Sequence, residues 1–302
     1  MFNKLNKGDI IGVIAPSSPI MKDDLEKINK SILLMEGSGY NIKFSKNAFR
    51  NTLGYGATPK EKAEDINEMF ADKEVKLIFC VSGGFNSNSV FEYLDYDIIK
   101  NNPKPLCGFS DATSLENIIY EKTGVITFNG PTFKALTSWK TEYGYTEVIK
   151  RFADCSLELG KEDDEYITIQ EGTAEGILVG GNLSLVSQMT AGKYSINFDN
   201  KILFIEELFL ETPPELVQNH LYHLKQNDVF EKIKGIWVGN YDGEVALEKI
   251  LMDVLDGKYN FPIIKSNNFG HTEKKTVIPV GGVAKIDTSK DKKIELIESF
   301  IK

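Results

Sequence analysis

The run Val75-Lys76-Leu77-Ile78-Phe79-Cys80-Val81 carries a single charge and passes straight into Ser82-Gly83-Gly84. A short apolar run without polar alternation fits a strand buried on both faces. Such a strand belongs to a parallel sheet, whose crossovers must return through helices packed on its two sides. The glycine pair then marks a turn at the carboxyl end of the strand, the edge at which open parallel sheets bind ligands.

The surrounding sequence supplies the units this demands. Ile10 to Ala15 reads as a buried strand, Lys22 to Met35 as a helix stopped by Gly37 and Gly39, and Tyr40 to Phe44 as a second strand. Thr58-Pro59-Lys60-Glu61 is a helix start, with Thr as cap, Pro in the first turn and Glu three residues after the cap. A short helix around Ser89 to Tyr93 is followed by a strand from Pro105 to Phe109 and a helix from Ala112 to Glu121. Repeated strand–helix units predict an α/β fold with a Rossmann-like parallel-sheet domain over residues 1–135.

Residues 136–165 read as a connecting region with a helix around Thr146 to Ala153 and an acidic run, Glu162-Asp163-Asp164-Glu165, expected to be a solvated turn. Residues 166–302 read as a β-rich domain. Its predicted strands are Tyr166 to Gln170, Gly176 to Val179, Lys201 to Ile205, Gly235 to Gly239, Ile263 to Ser266, Thr276 to Val280 and Lys293 to Ile297. Helices are expected after the Gly180-Gly181-Asn182 turn and over Pro213 to Lys225.

The 302 residues carry a formal net charge of −9, which argues against a nucleic acid polymer as partner because phosphate binding needs clustered Lys and Arg. Three cysteines suit a reducing compartment better than a disulfide framework. Neither a signal segment nor an apolar run of about 18 residues is read, so a cytoplasmic protein with no membrane partner is expected.

Ser110 stands between the apolar strand and the helix in Cys107-Gly108-Phe109-Ser110-Asp111-Ala112. A serine on such a turn is lifted out of the sheet beside free helix-start N–H groups, which suits a nucleophile; the same hydroxyl could instead simply cap the helix. Ala112 replaces the second glycine of the usual elbow pattern. Gly83 and Gly84 let backbone N–H groups approach a substrate. Among three histidines, His220 and His223 fall on one predicted helix as solvated positions, leaving His271, in a polar loop after Phe269-Gly270, as the preferred base. Glu206 and Glu207 end the Ile202–Ile205 strand and point to opposite faces, so one of them can orient a base. Spacing alone does not choose between them. Cys107 reads as core.

These segments together resemble the S66 peptidase family of murein LD-carboxypeptidases and microcin C immunity proteins. The matching stretches are Gly12 to Pro19, Ser82 to Asn88, Gly108 to Thr113, Gly180 to Leu183, Leu203 to Glu207 and Phe269 to Thr272. The resemblance implies a Ser110–Glu206–His271 triad, an oxyanion hole from the N–H groups of Asp111 and Gly84, and substrate contacts at Gly83, Asn86, Asn182 and Trp139. It also implies a Rossmann-like domain beside a β-rich, swivelling β/β/α-like domain, a homodimer, and no metal or cofactor. Two substrates are expected to compete: an aminoacyl- or peptidyl-nucleotide amide, towards which Gly83 to Ser89 with the later Leu94 to Asp97 leans, and a murein tetrapeptide. A non-catalytic binding protein on the same fold is the alternative from another class.

Overall fold

The computed structural model describes residues 2–137 and 142–300. The first half supplies five strands, β1 (Ile10–Ile14), β2 (Asn41–Phe44), β3 (Val75–Cys80), β4 (Leu106–Gly108) and β5 (Thr127–Asn129). They pair in parallel in the order β5-β4-β3-β1-β2. β3 is buried at every position but Lys76, as its uninterrupted apolar run requires. The helix Pro59–Ala71 begins as predicted, with Thr58 Oγ1 accepting from the Glu61 N–H and Glu61 Oε2 accepting from the Thr58 N–H.

The second half supplies β6 (Ile167–Gln170), β7 (Thr173–Asn182), β8 (Lys201–Glu206), β9 (Gly235–Val238), β10 (Ile263–Lys265), β11 (Ile278–Val280), β12 (Val283–Asp287) and β13 (Ile294–Leu296). Seven of them form a second sheet in the order β13-β12-β7-β8-β9-β10-β6. Its centre, β7 to β10, is parallel, and antiparallel strands flank it on both sides. The exception is β11, which crosses to the first sheet and pairs antiparallel with β5. The chain after residue 166 therefore contributes to both sheets.

Several elements differ from the sequence reading. Gly180-Gly181-Asn182 is the end of β7 rather than a turn. Its glycines hold φ of +139° and +131°, and a Cβ would lie 1.9 Å from the Phe204 carbonyl oxygen at Gly180 and 2.5 Å from Thr113 Oγ1 at Gly181. Local periodicity cannot foresee that approach, because the crowding atoms come from β8 and from the helix Ala112–Thr123. Around Ser89 there is a single turn of 3-10 helix, Ser87–Val90, and the α-helix follows at Tyr96–Asn101, capped by Asp95. Asp164, expected in a solvated turn, is buried.

The two halves are joined where the helix Ala112–Thr123 packs on β7. Asn117 exchanges two hydrogen bonds with Gly180, and Thr113 Oγ1 accepts from the Asn182 N–H at 3.0 Å. Among the described residues no helix is long and apolar enough to cross a membrane.

Candidate active site

Ser110 follows β4 and precedes the helix Ala112–Thr123, with φ of +61°. A non-glycine residue in the left-handed region is strained by roughly 1 kcal/mol or more, and such positions cluster at functional sites. Gly108 makes the tight strand-to-helix turn feasible: a Cβ there would lie 2.6 Å from the Ala112 Cβ and 2.9 Å from Cys80 Sγ.

Because β1, β3 and β4 run in parallel, the loops after them meet at one edge, and Asp111 ties them together. Its carboxylate accepts from Ser17 Oγ at 2.5 Å and from the Ser87 N–H at 2.8 Å, while Ser87 Oγ donates to the Asp111 carbonyl at 2.6 Å. Lys62 adds a brace, donating to the Ser17 carbonyl and to Asn86 Oδ1, each at 2.8 Å. Gly83 lies against the serine: a Cβ there would be 2.9 Å from the Ser110 Cβ and 3.2 Å from its Oγ. Gly84 instead presses on Ser18. Among the described residues no acceptor meets the N–H of Gly83, Gly84 or Asp111.

The second sheet brings the carboxyl ends of β8, β9 and β10 to the same cleft. Glu206, fully buried at the end of β8, accepts on Oε2 from His271 Nδ1 at 2.7 Å and from the His271 N–H at 3.0 Å. Asn240 Nδ2 donates to the His271 carbonyl at 3.1 Å, and Gly270, at φ +105°, lets the loop pass within reach of Glu206. Glu207 points elsewhere. It accepts from Asn182 Nδ2, the Ser184 N–H and its neighbour Leu208 N–H, and burial beside the Glu206 charge pushes its carboxyl up from the ordinary range.

Ser110, His271, Phe109 and Gly83 line one cleft of about 380 Å³. Its remaining wall includes Leu208, Lys134 and Lys275. The Phe109 ring lies 4.6 Å from that of His271, centroid to centroid. The other predicted residues that the structure describes sit outside this wall. Asn182 is buried behind it, sharing its amide between Glu206 and Glu207 at 3.3 and 2.7 Å. Asn86 turns its side chain to Lys62, and Trp139 lies outside the described residues. Cys107 is fully buried, with desolvation pushing its thiol well up. His220 is only half exposed and pairs through Nδ1 with Ser187 Oγ at 2.8 Å. Among the described residues no group of His, Cys, Asp and Glu is placed to hold a metal ion.

Sequence reasoning missed Lys275, Asp164 and Thr113. Asp164 receives Lys274 Nζ at 2.6 Å, Asn268 Nδ2 at 3.1 Å and the Tyr143 hydroxyl, so it grips the His271 loop on both sides of the histidine. Nothing in an acidic run distinguishes the one member that folds inward.

Residues 11–130 match the family model for the LD-carboxypeptidase N-terminal domain, and residues 175–286 that for the LD-carboxypeptidase C-terminal domain. The chain is 31% identical to a probable murein peptide carboxypeptidase of Bacillus subtilis, covering 98% of this chain and 94% of that protein. An MccF-like protein from Bacillus anthracis superposes with a TM-score of 0.87 at 31% identity, covering 99% of both chains. The structure of MccF in complex with glutamyl sulfamoyl guanosine superposes at 0.89 with 25% identity, covering 100% of this chain and 99% of that one.

Proposed function

This chain belongs to the LD-carboxypeptidase family, and on that premise we propose that it is a serine-type amide hydrolase acting through Ser110, His271 and Glu206. One observation carries the reading: a strained serine shares a cleft with a histidine whose Nδ1 is held at 2.7 Å by a buried carboxylate. With Nδ1 bonded to Glu206, Nε2 is the nitrogen left to act as base.

In the proposed reaction His271 takes the Ser110 proton as Oγ attacks the amide carbonyl. The N–H of Asp111 and those of the Gly83–Gly84 pair receive the oxyanion, and no internal acceptor competes for them among the described residues. Glu206 stabilises the imidazolium. His271 then returns the proton to the leaving nitrogen, and water releases the acyl group from Ser110 by the reverse sequence. Asn182 acts behind the wall by steadying Glu206.

The preferred substrate class is an aminoacyl- or peptidyl-nucleotide amide, supported by the near full-length likeness to a structure holding glutamyl sulfamoyl guanosine. A second reading, removal of the terminal residue of a murein tetrapeptide, is favoured by the 31% identity to the Bacillus subtilis protein. A cytoplasmic homodimer is part of the proposal. Incubation with a cleavable aminoacyl-nucleotide amide and with murein tetrapeptide separates the readings. Cleavage of one alone assigns the class, and cleavage of neither, with binding unaffected by Ser110→Ala, points to a non-catalytic binder.

A further inference from the structure

Glu206 and Glu207 are neighbours in the chain, and both are buried, at 0% and 2% exposure. Two carboxylates so placed repel each other and lose their water, a penalty that each must offset with its own partners. Glu206 has His271. Glu207 is not among the residues that line the cleft. Its oxygens meet three N–H donors: Asn182 Nδ2 at 2.7 Å and the Leu208 N–H at 2.8 Å on Oε1, and the Ser184 N–H at 2.9 Å on Oε2. A carboxylate accepts on both oxygens, whereas a glutamine amide would turn hydrogens towards one of those groups of donors. The position therefore calls for an acid, although burial and the adjoining Glu206 charge push its carboxyl up.

Asn182 is what this acid holds. It ends β7 in register with Glu206 at the end of β8. Its Oδ1 accepts from Ser184 Oγ at 2.5 Å and from the Leu185 N–H at 3.4 Å, which turns Nδ2 towards the two acids. That nitrogen donates to Glu207 at 2.7 Å and to Glu206 Oε1 at 3.3 Å. With Oε1 engaged, Oε2 is the oxygen presented to His271, where it accepts from both the ring and the backbone N–H. The backbone N–H of Asn182 donates to Thr113 Oγ1 at 3.0 Å. One residue thus ties the helix behind the nucleophile to the acid behind the base.

We propose that Glu207 is a positioning residue that acts through Asn182 to fix the Glu206 carboxylate with Oε2 facing His271. The proposal rests on the Ser110–His271–Glu206 reading given above. Glu207 touches no substrate in it. Its bond to Leu208 does reach the cleft wall, and an effect by that route would appear as a KM change that a variant of Asn182 does not share.

The test is a double-mutant cycle on whichever is cleaved, the murein tetrapeptide or the aminoacyl-nucleotide amide. Glu207→Gln and Asn182→Ala should each lower kcat by about 10- to 100-fold with KM within about 3-fold of wild type. The double variant should fall no further than Asn182→Ala alone, because the two residues act on one path. Losses that multiply, a KM effect confined to Glu207→Gln, or a kcat within about 2-fold of wild type each overturn the proposal. Glu207→Asp keeps the buried charge but is too short to hold Asn182, and it replaces Glu207→Gln in the cycle if thermal melts show that variant unfolded. Proton NMR with nitrogen-labelled histidine reads the same point without turnover. The His271 Nδ1–H bonded to Glu206 gives a downfield resonance, identified by its loss in His271→Gln. It should shift upfield or broaden in the Glu207 variant, whereas a brace with no effect on Glu206 leaves it in place. If the wild-type protein cleaves neither substrate but this resonance responds to Glu207, the hydrolase reading fails and the positioning of Glu206 stands. A resonance that does not move ends the positioning role by itself.

Discussion

A single oxygen, Glu206 Oε2, accepts both from the ring of His271 at 2.7 Å and from its backbone N–H at 3.0 Å. The carboxylate thereby fixes the imidazole and the loop that carries it. Glu206→Gln keeps the shape but offers an amide that can accept only through one oxygen. It should lower kcat by about 100- to 10,000-fold, with a modest change in KM, since the tautomer of His271 is no longer enforced. Steady-state kinetics on a cleaved substrate check this, and a loss below about 10-fold would remove Glu206 from the proposed triad.

Ser110→Ala should abolish hydrolysis, with kcat down by at least about 1000-fold, while thermal stability stays close to wild type because Ala keeps the same backbone conformation and the change removes one partly buried hydroxyl. A soluble, folded variant with normal turnover would end the serine mechanism.

Gly83→Ala tests the approach of the two loops. The added methyl would sit 2.9 Å from the Ser110 Cβ and 3.2 Å from its Oγ, a clash that must push the serine or the glycine loop aside. Turnover is expected to fall by about 100-fold or more, since misplacement of an ångström costs that much in an aligned site. A crystal structure of the variant should show the loop displaced.

Asp164→Ala removes the grip on Asn268 and Lys274. Faster amide hydrogen exchange over residues 268–276 and a kcat lowered by about 10-fold are expected, with the overall fold intact. Unchanged exchange in that loop would show that Asp164 does not hold it.

Glu116 lies fully buried in the helix behind Ser110. Its Oε2 accepts from Asn129 at 3.1 Å, its Oε1 meets no partner among the described residues, and desolvation pushes its carboxyl up to about 8. The folded state therefore holds a proton that the unfolded chain releases near the ordinary value of 4.5. Stability should fall as pH rises between those two values, with the full cost, on the order of a few kcal/mol, present above the upper one. Glu116→Gln should flatten that part of the profile and raise Tm at alkaline pH relative to wild type. Parallel Tm profiles for the two proteins would contradict this.

Much of the first sheet and the strand-to-helix turn at Ser110 were legible in the sequence, because apolar runs, caps and glycine turns are local signals. Thr58–Glu61 is a case: both hydrogen bonds of the cap form between residues three apart. The destination of β11 was not legible. Its apolar pattern is that of any short strand, and only the packing of the two halves sends it to pair with β5.

The residues themselves determined that a serine would stand at the carboxyl edge of a parallel sheet and that few histidines were available to serve it. Tertiary structure decided which partners face each other. Gly181 leaves room for Thr113 of the helix after Ser110, Gly180 offers that helix its backbone through Asn117, and the docking on β7 sets the edge of one sheet against the edge of the other. It also turned Glu206 to His271 and Glu207 to Asn182, buried Asp164, and set the Lys275 ammonium over Phe109. Such choices depend on contacts between residues far apart in the chain, whose side chains carry no mark in sequence of the neighbours that folding will give them.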